Sequence, residues 1–219
     1  MGQYSAKGLY AGYDKNNKER DALDYYATPP WEVENILREI QIKDLSESLI
    51  LDPGCGGGHL IDGILKVYPN ARIIGTDVQP RDDKIKEAHK TVDYRSGLEF
   101  DFLSDSYPIE KCDYVIMNPP FKTIIPFVLH SLDIAKKGVL MLARIQFLEG
   151  VERYEKVLKS NPPTDIYVYI DRIACYKGGD FGKKPNSIQC YAWFYWDKKN
   201  TEKSEPKIHF LRKFEKRES

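Results

Sequence analysis

The sequence has no excess charge of either sign, no long apolar run and no paired cysteines. Its 219 residues carry 33 basic and 33 acidic side chains, which excludes a protein that coats nucleic acid with a strongly basic surface. No stretch approaches the roughly 18 apolar residues of a membrane span, and the polar N-terminus does not resemble a signal peptide. The four cysteines form no CxxC pair, which argues against a zinc ribbon or a disulfide framework. These absences predict a reduced, cytoplasmic protein with no membrane contact and no bound metal.

Aliphatic residues are distributed unevenly and divide the chain into three parts. Residues 1–22 contain few of them and are predicted to form a flexible arm. Residues 23–196 are predicted to form one domain, which is long enough to bury a substantial core. Residues 197–219 hold eight basic and five acidic side chains and are predicted to be a basic C-terminal tail.

Within the domain, short apolar runs alternate with segments of helical periodicity. This alternation predicts a Rossmann-like, doubly wound α/β fold with a mostly parallel sheet. The predicted strands are residues 48–52, 71–77, 97–103, 112–118, 139–148, 165–176 and 189–196. A loop rich in Gly and Lys, rather than a helix, joins the last two. We therefore expect seven strands, with an antiparallel strand at the edge.

A glycine-rich turn, DPGCGGG (52–58), follows the first predicted strand. Gly54, Gly56 and Gly58 allow a tight turn, in which a ligand can approach the backbone N–H groups at the start of the next helix. The spacing is GxGxG, which differs from GxGxxG and from a phosphate-binding loop. Asp77 ends the next strand, about 20 residues further on, where an acid can accept hydrogen bonds from ribose hydroxyls. Together they predict an adenosine-containing cofactor, without separating NAD from S-adenosylmethionine.

The segment NPPF (118–121) follows the fourth predicted strand and lies at the same edge of the sheet. Its prolines fix the backbone and remove two N–H donors, which leaves the Asn118 side chain and the Pro119 carbonyl as rigid acceptors. Phe121 adds an aromatic face. Acceptors on both hydrogens of a planar exocyclic amine favour a more tetrahedral nitrogen, and stacking holds the ring in line with an electrophilic methyl group. The pattern therefore indicates methylation of an amino group.

With these motifs the chain resembles the class I S-adenosylmethionine-dependent methyltransferases, and among them the small phage-type DNA N6-adenine methyltransferases. DPGCGGG looks like the cofactor loop of that family, TDV (76–78) its second-strand acid, and NPPF its catalytic tetrapeptide. DYYATPPW (24–31) is similar to the segment that closes over the methionine part of the cofactor, and DFL (101–103) to the segment that contacts adenine. The resemblance covers about residues 24 to 196.

The resemblance implies a role for each matching residue. S-adenosyl-L-methionine would be bound by residues of four segments: Tyr26, Thr28 and Pro29; Asp52, Pro53, Gly54, Gly56 and Gly58; Asp77 and Val78; Asp101 and Phe102. The catalytic residues would be Asn118, Pro119, Pro120 and Phe121, which hold the target amine and stack on its base. Asp105 is an alternative to Asp101, because the two lie close together in the sequence.

The expected substrate is nucleic acid, most simply DNA. A base inside a duplex must flip out to reach such a cleft, or come from a single strand. Lys177, Lys183 and Lys184 in the loop 177–188 are expected to contact it, although a solvated hairpin tip explains them equally well. The sequence shows no separate target-recognition domain. Weak discrimination between DNA sequences, a short recognition site or a protein partner that supplies specificity would each fit the lack of this domain. We expect the protein to be a monomer.

Four other functions compete with this interpretation. Enzymes with NPP[FY] also methylate two other planar nitrogens, that of adenine in RNA and that of the glutamine side chain in proteins. The glutamine enzymes favour Tyr at the fourth position. A nicotinamide oxidoreductase would need GxGxxG and leaves NPPF unexplained. A methyltransferase fold retained as a non-enzymatic partner subunit would not need the tetrapeptide.

Overall fold

A computed structural model describes residues 25–81, 84–89, 92–182, 189–200 and 205–214. The strands are β1 (Tyr26–Ala27), β2 (Leu49–Pro53), β3 (Arg72–Asp77), β4 (Asp93–Ser96), β5 (Cys112–Met117), β6 (Ala135–Arg144), β7 (Asp165–Tyr169), β8 (Tyr176–Lys177), β9 (Tyr191–Asp197) and β10 (Lys207–Leu211). The helices are α1 (Pro30–Ile40), α2 (His59–Val67), α3 (Lys84–Ala88), α4 (Ile124–Ile134) and α5 (Val151–Arg153), which continues as a π-helix over Tyr154–Leu158. None of the helices in these ranges is long and apolar enough to cross a membrane.

Eight strands form the main sheet, in the order β10-β7-β9-β6-β5-β2-β3-β4. All neighbours are parallel except β9, which runs antiparallel to both β6 and β7. The predicted Rossmann-like fold is confirmed, as is antiparallel pairing toward this end of the sheet. The antiparallel strand itself is third from the edge, because β7 and β10 lie outside it. β1 and β8 form a separate two-stranded ladder.

The expected number of seven strands is wrong by one, because β10 lies within residues 197–219. It extends the sheet by pairing in parallel with β7, with Leu211 opposite Tyr169. Leu211 is buried, whereas Ile208 and Phe210 are 61% and 76% exposed. An edge strand with so little buried surface has no clear alternation of apolar and polar residues, which is why its sequence resembles a polar tail.

Two other local predictions differ from the structure. The third predicted strand, residues 97–103, is wrong, because the strand that pairs with β3 is β4, residues 93–96. Leu98, within the predicted range, is 69% exposed and begins a 3-10 turn. As an edge strand, β4 needs few apolar residues. The sequence TPPW also predicts Thr28 as the N-cap of the first helix and Pro29 as its first residue. The helix instead begins at Pro30 with Pro29 as its N-cap, and it has no side-chain cap. Thr28 is therefore not a cap.

The core consists of two apolar layers, one on each face of the sheet. α1 and α2 cover one face, against residues such as Ile50 and Trp193. α4 and the π-helix cover the other face, where they pack against Leu51 and Phe194, the residues that follow Ile50 and Trp193 in the chain. Gly63 lets α2 approach the first turn of α1 closely, because a Cβ there would lie 2.5 Å from the Pro30 carbonyl oxygen. This contact fixes residues 25–30 above the sheet edge where β2, β3 and β5 end.

Leu211 and Phe210 provide a test of whether β10 stabilises the domain. We expect Leu211→Ala to lower the free energy of unfolding by about 2–4 kcal/mol, because it removes a buried side chain from the core layer. Phe210→Ala, at the exposed neighbouring position, is the control and should change it by less than about 0.5 kcal/mol. Urea denaturation followed by circular dichroism measures both. Equal effects would show that the strand does not pack as described.

Candidate active site

A cleft opens at the carboxyl ends of β2, β3 and β5. Four stretches that are distant in the sequence meet there, since parallel strands end at one edge of a sheet. Among the sequence-predicted residues, those that line it are Tyr26, Thr28, Asp52, Gly54, Asp77, Val78, Asp101, Phe102, Asn118, Pro119, Pro120 and Phe121. Other lining residues include Tyr25, Cys55, His59, Leu60, Gln79, Arg81, Phe100, Leu103, Lys122, Thr123 and Phe127.

The glycine loop and the Asp77 carboxylate hold each other in place. The Gly56 N–H donates to Asp77 Oδ2 at 2.9 Å, and the Gln79 N–H donates to Oδ1 at 2.8 Å. The two backbone donors orient the carboxylate, and each oxygen keeps a further lone pair. Gly56 has φ of 54°, and a Cβ there would overlap the ring of Tyr25. Gly56 therefore shapes the loop from behind, while Gly54 faces the cleft.

Asp52 is a buried carboxyl group with an unused acceptor. Its side chain is 1% exposed, and Oδ2 has no hydrogen-bond partner among the described residues. Burial raises its pKa well above the ordinary value, and the nearby Asp77 raises it further. Asp52 also lines the cleft. An unsatisfied buried acceptor at this position fits a ligand with a cationic or hydroxyl donor.

The part of the cleft around Phe102 is apolar and aromatic. Phe102, Leu103 and Phe127 are nearly buried there, and the Phe102 ring stacks on His130 with centroids 4.4 Å apart. His130 Nδ1 lies 2.6 Å from the Phe102 carbonyl oxygen, which fixes this turn. Asp101 Oδ1 accepts the Leu103 N–H at 3.0 Å. This subsite, with one acid at its rim, fits a flat heteroaromatic ring.

The Asn118 side-chain amide is held in a defined orientation. Its Nδ2 donates to the Tyr26 carbonyl and to Thr28 Oγ1, each at 3.0 Å. Because a backbone carbonyl only accepts, the amide nitrogen must be on this side. Oδ1 is consequently an acceptor on the other side of a half-buried residue that lines the cleft. Thr28 thus orients Asn118 rather than capping α1.

Pro119 and Phe121 complete this part of the cleft. The Pro119 carbonyl accepts no hydrogen bond from the described residues, whereas the Pro120 carbonyl accepts the Thr123 N–H at 3.1 Å. The Phe121 ring lies 6.3 Å from that of Tyr26, at an interplanar angle of 38°. Asn118, Pro119 and the two aromatic residues therefore line the same cleft as Gly54 of the glycine loop.

The β1–β8 ladder joins the N-terminal segment to the start of the predicted substrate loop. Tyr26 pairs with Lys177, and the Gly178 N–H donates to the Tyr25 carbonyl at 3.0 Å. Phe181 packs on His59, with ring centroids 4.9 Å apart. Lys183 and Lys184 lie outside the described residues, as does the predicted arm 1–22. Thus the backbone of Lys177 is at the site, and its predicted contact with substrate stays a prediction.

Four predicted cofactor residues do not line the cleft. Pro29, Pro53, Gly56 and Gly58 are buried behind it and shape the loop and the start of α1. Sequence reasoning missed Tyr25, His59 and Arg81. The Tyr25 hydroxyl accepts the Gly57 N–H at 2.9 Å, and the Arg81 guanidinium lies 4.3 Å from the Tyr25 ring centroid. Tyr25 lies within DYYATPPW and His59 directly follows DPGCGGG, so both could have been found from the sequence. No sequence pattern marks Arg81.

Comparison with known proteins identifies the fold. A Pyrococcus horikoshii protein predicted to be an RNA methyltransferase matches 88% of this chain and 95% of its own, with a TM-score of 0.57 and 20% identity. A predicted O-methyltransferase from Agrobacterium tumefaciens matches 84% of this chain and 86% of its own, with a TM-score of 0.52 and 12% identity. The fold is therefore that of the class I methyltransferases.

One curated relative is similar in sequence. The type II methyltransferase M.CvrRI of Paramecium bursaria Chlorella virus XZ-6E is 32% identical over an alignment of 112 residues, and the match covers 49% of this chain. The match spans about a quarter (27%) of that protein's length. No family model matches the chain.

Asp52 provides a test of the cleft's electrostatics. The Asp52 pKa is higher in the folded protein than in the unfolded chain, so ionisation of this carboxyl group favours unfolding. The stability that the protein has at low pH is therefore lost as pH rises through the folded-state pKa. We therefore expect Asp52→Asn to raise the free energy of unfolding, by about 1–3 kcal/mol at pH values above the folded pKa. The difference from wild type should shrink on acidification. Urea denaturation across pH measures it, with the exposed Asp105→Asn as control. A pH-independent difference would contradict the buried charge.

Proposed function

We propose that the protein is an S-adenosylmethionine-dependent methyltransferase that modifies the exocyclic N6 amine of adenine in DNA. The observation that carries the proposal is the fixed Asn118 amide. Its Nδ2 is bound to Tyr26 and Thr28, which leaves Oδ1 and the Pro119 carbonyl as acceptors at the wall of the cleft. Such a pair suits an amine with two hydrogens.

The residues of the cleft fit S-adenosylmethionine, which when bound supplies a methyl group on a sulfonium. The cofactor carries a sulfonium, an ammonium and a carboxylate group, and the cleft presents the acidic side chains of Asp52, Asp77 and Asp101. Asp77 would accept from the ribose hydroxyls with its remaining lone pairs. Asp52 Oδ2 needs a donor. The apolar subsite around Phe102 would hold the adenine ring.

The chemistry assigned to this chain's own residues is orientation and electrostatic stabilisation. Asn118 Oδ1 and the Pro119 carbonyl would each accept one N–H of the target amine. As the nitrogen gains positive charge, both hydrogen bonds strengthen, so the acceptors stabilise the transition state more than the ground state. Phe121 would hold the base by stacking. The rigid backbone of two prolines avoids reorganisation during the reaction.

DNA is the favoured substrate class because the similar viral protein is described as a type II methyltransferase, and the resemblance of NPPF and its neighbours points to DNA adenine. Tyr26 and Ala27 of β1 line the cleft. A base in a duplex would have to leave the stack to enter such a cleft. The described residues include no separate recognition domain. Sequence specificity would then be modest or come from a partner.

Asn118→Ala tests the proposed reaction directly. The enzyme is incubated with S-adenosylmethionine and duplex DNA, single-stranded DNA or RNA, and the nucleosides are identified by mass spectrometry. We expect N6-methyladenine from DNA, and we expect Asn118→Ala to lower the rate at least about a hundredfold because one transition-state acceptor is lost. Cofactor affinity should stay within a few fold.

Asn70→Ala, at an exposed position away from the cleft, is the control and should keep full activity. Methylation confined to RNA would change the substrate class but retain the chemistry. No methylated nucleoside from any substrate, with cofactor bound, would overturn the proposal and point to glutamine in a protein or to a partner subunit.

Asp77→Ala separates cofactor binding from chemistry. Removing the carboxylate abolishes the ribose contacts and frees the Gly56 N–H, so we expect the dissociation constant for S-adenosylmethionine to rise about 10- to 100-fold. Titration calorimetry measures the change, and Asp133→Ala, at an exposed position that does not line the cleft, should leave it unaltered. Unchanged affinity of the Asp77 variant would refute its role at the ribose.

A further inference from the structure

Arg144 stacks on the ring of Phe121. It is the last residue of β6, which lies next to β5 in the sheet, so its side chain leaves the sheet edge beside NPPF. The guanidinium carbon is 4.2 Å from the Phe121 ring centroid. A guanidinium at this distance over an aromatic face forms a cation–π contact, which is strongest where water is excluded.

The surroundings of Arg144 differ from those of a surface arginine. Its Nε is buried and has no hydrogen-bond acceptor among the described residues. Its guanidinium interacts with the phenol of Tyr191, which is 3% exposed and is its direct neighbour across β6 and β9. Tyr191 also lies beside Cys175, whose Sγ lies 3.9 Å from Asn118 Nδ2. Arg144 therefore connects the Phe121 ring to the wall behind Asn118.

The Arg144 guanidinium covers one face of the Phe121 ring. A planar substrate ring can then stack only on the face that Arg144 does not cover. Arg144 does not line the cleft, and with its Nε enclosed it offers at most part of its fork to a phosphate. We infer that Arg144 is a positioning residue: it fixes the Phe121 ring in the orientation that stacks on the methyl-accepting base. This inference rests on the proposed function.

A double-mutant cycle between Arg144 and Phe121 tests the inference. Wild type, Arg144→Met, Phe121→Leu and the double variant are compared in single-turnover methylation of adenine-containing DNA. We expect Arg144→Met to lower the transfer rate about tenfold, with the dissociation constant for S-adenosylmethionine and the melting temperature almost unchanged. In the Phe121→Leu background the same substitution should have little further effect, since there is no ring to hold.

Two additional variants sharpen the interpretation. Arg144→Lys keeps the charge but not the planar fork, and it should restore only part of the rate. Arg38→Met removes an exposed arginine that pairs with Glu34 on α1 and should have no effect. Equal losses from Arg144→Met in both backgrounds, or a parallel loss of cofactor affinity, would overturn the positioning role.

Failure of this inference is distinguishable from failure of the proposed function. If wild-type protein methylates DNA and the cycle is additive, only the role of Arg144 is refuted. If wild-type protein binds S-adenosylmethionine and methylates no nucleic acid, the proposed function fails, and the inference fails with it. A non-additive cycle with unchanged cofactor affinity supports both.

Discussion

The hydrogen bonds from Asn118 Nδ2 to the Tyr26 carbonyl and Thr28 Oγ1 are the constraint on which the candidate site depends. They use both amide hydrogens, and a flipped amide would place its oxygen against the Tyr26 carbonyl and lose that bond. The same bonds attach residues 26–28 to the end of β5. Together with the β1–β8 ladder and the hydrogen bond from the Gly57 N–H to the Tyr25 hydroxyl, these bonds hold the segment beside the glycine loop against the tetrapeptide. The close contact between α2 and the first turn of α1 at Gly63 also holds residues 26–28 in place.

The cleft is built at some cost to stability. Asp52 and Asp77 lie close enough for each charge to raise the energy of the other, and the Asp52 carboxyl is desolvated as well. The loop N–H groups compensate Asp77, whereas Asp52 Oδ2 is left without a partner. Such a group destabilises a protein unless a ligand donor satisfies it. Two full apolar layers on the sheet offset this penalty. An arrangement that is unfavourable alone and favourable with a cationic ligand is what a cofactor site requires.

The sequence was sufficient for those parts of the site that lie on single strand-to-loop junctions. The glycine loop, Asp77 and NPPF each follow an apolar run, and parallel strands bring such junctions to one edge, so their meeting could be predicted. Contacts between segments far apart in the chain could not. The pairing of Tyr26 with Lys177, and the stacking of Arg144 on Phe121, have no local pattern. β10 was missed for a related reason, since an edge strand with one buried residue lacks the periodicity that identifies a strand.

The β1–β8 ladder connects the glycine-loop side of the cleft with the NPPF side. Lys177 pairs with Tyr26, and the adjacent Tyr25 covers the glycine loop through its bond to the Gly57 N–H. Further along the same segment, Phe181 packs on His59, the first residue of the helix that follows the loop. Any displacement of residues 176–182 must therefore break the ladder or move Tyr25 with it. Because Tyr26 also accepts from Asn118, such a movement reaches the amide that would hold the substrate. The backbone hydrogen bonds of the ladder therefore connect the part of the cleft at the glycine loop with the part at NPPF.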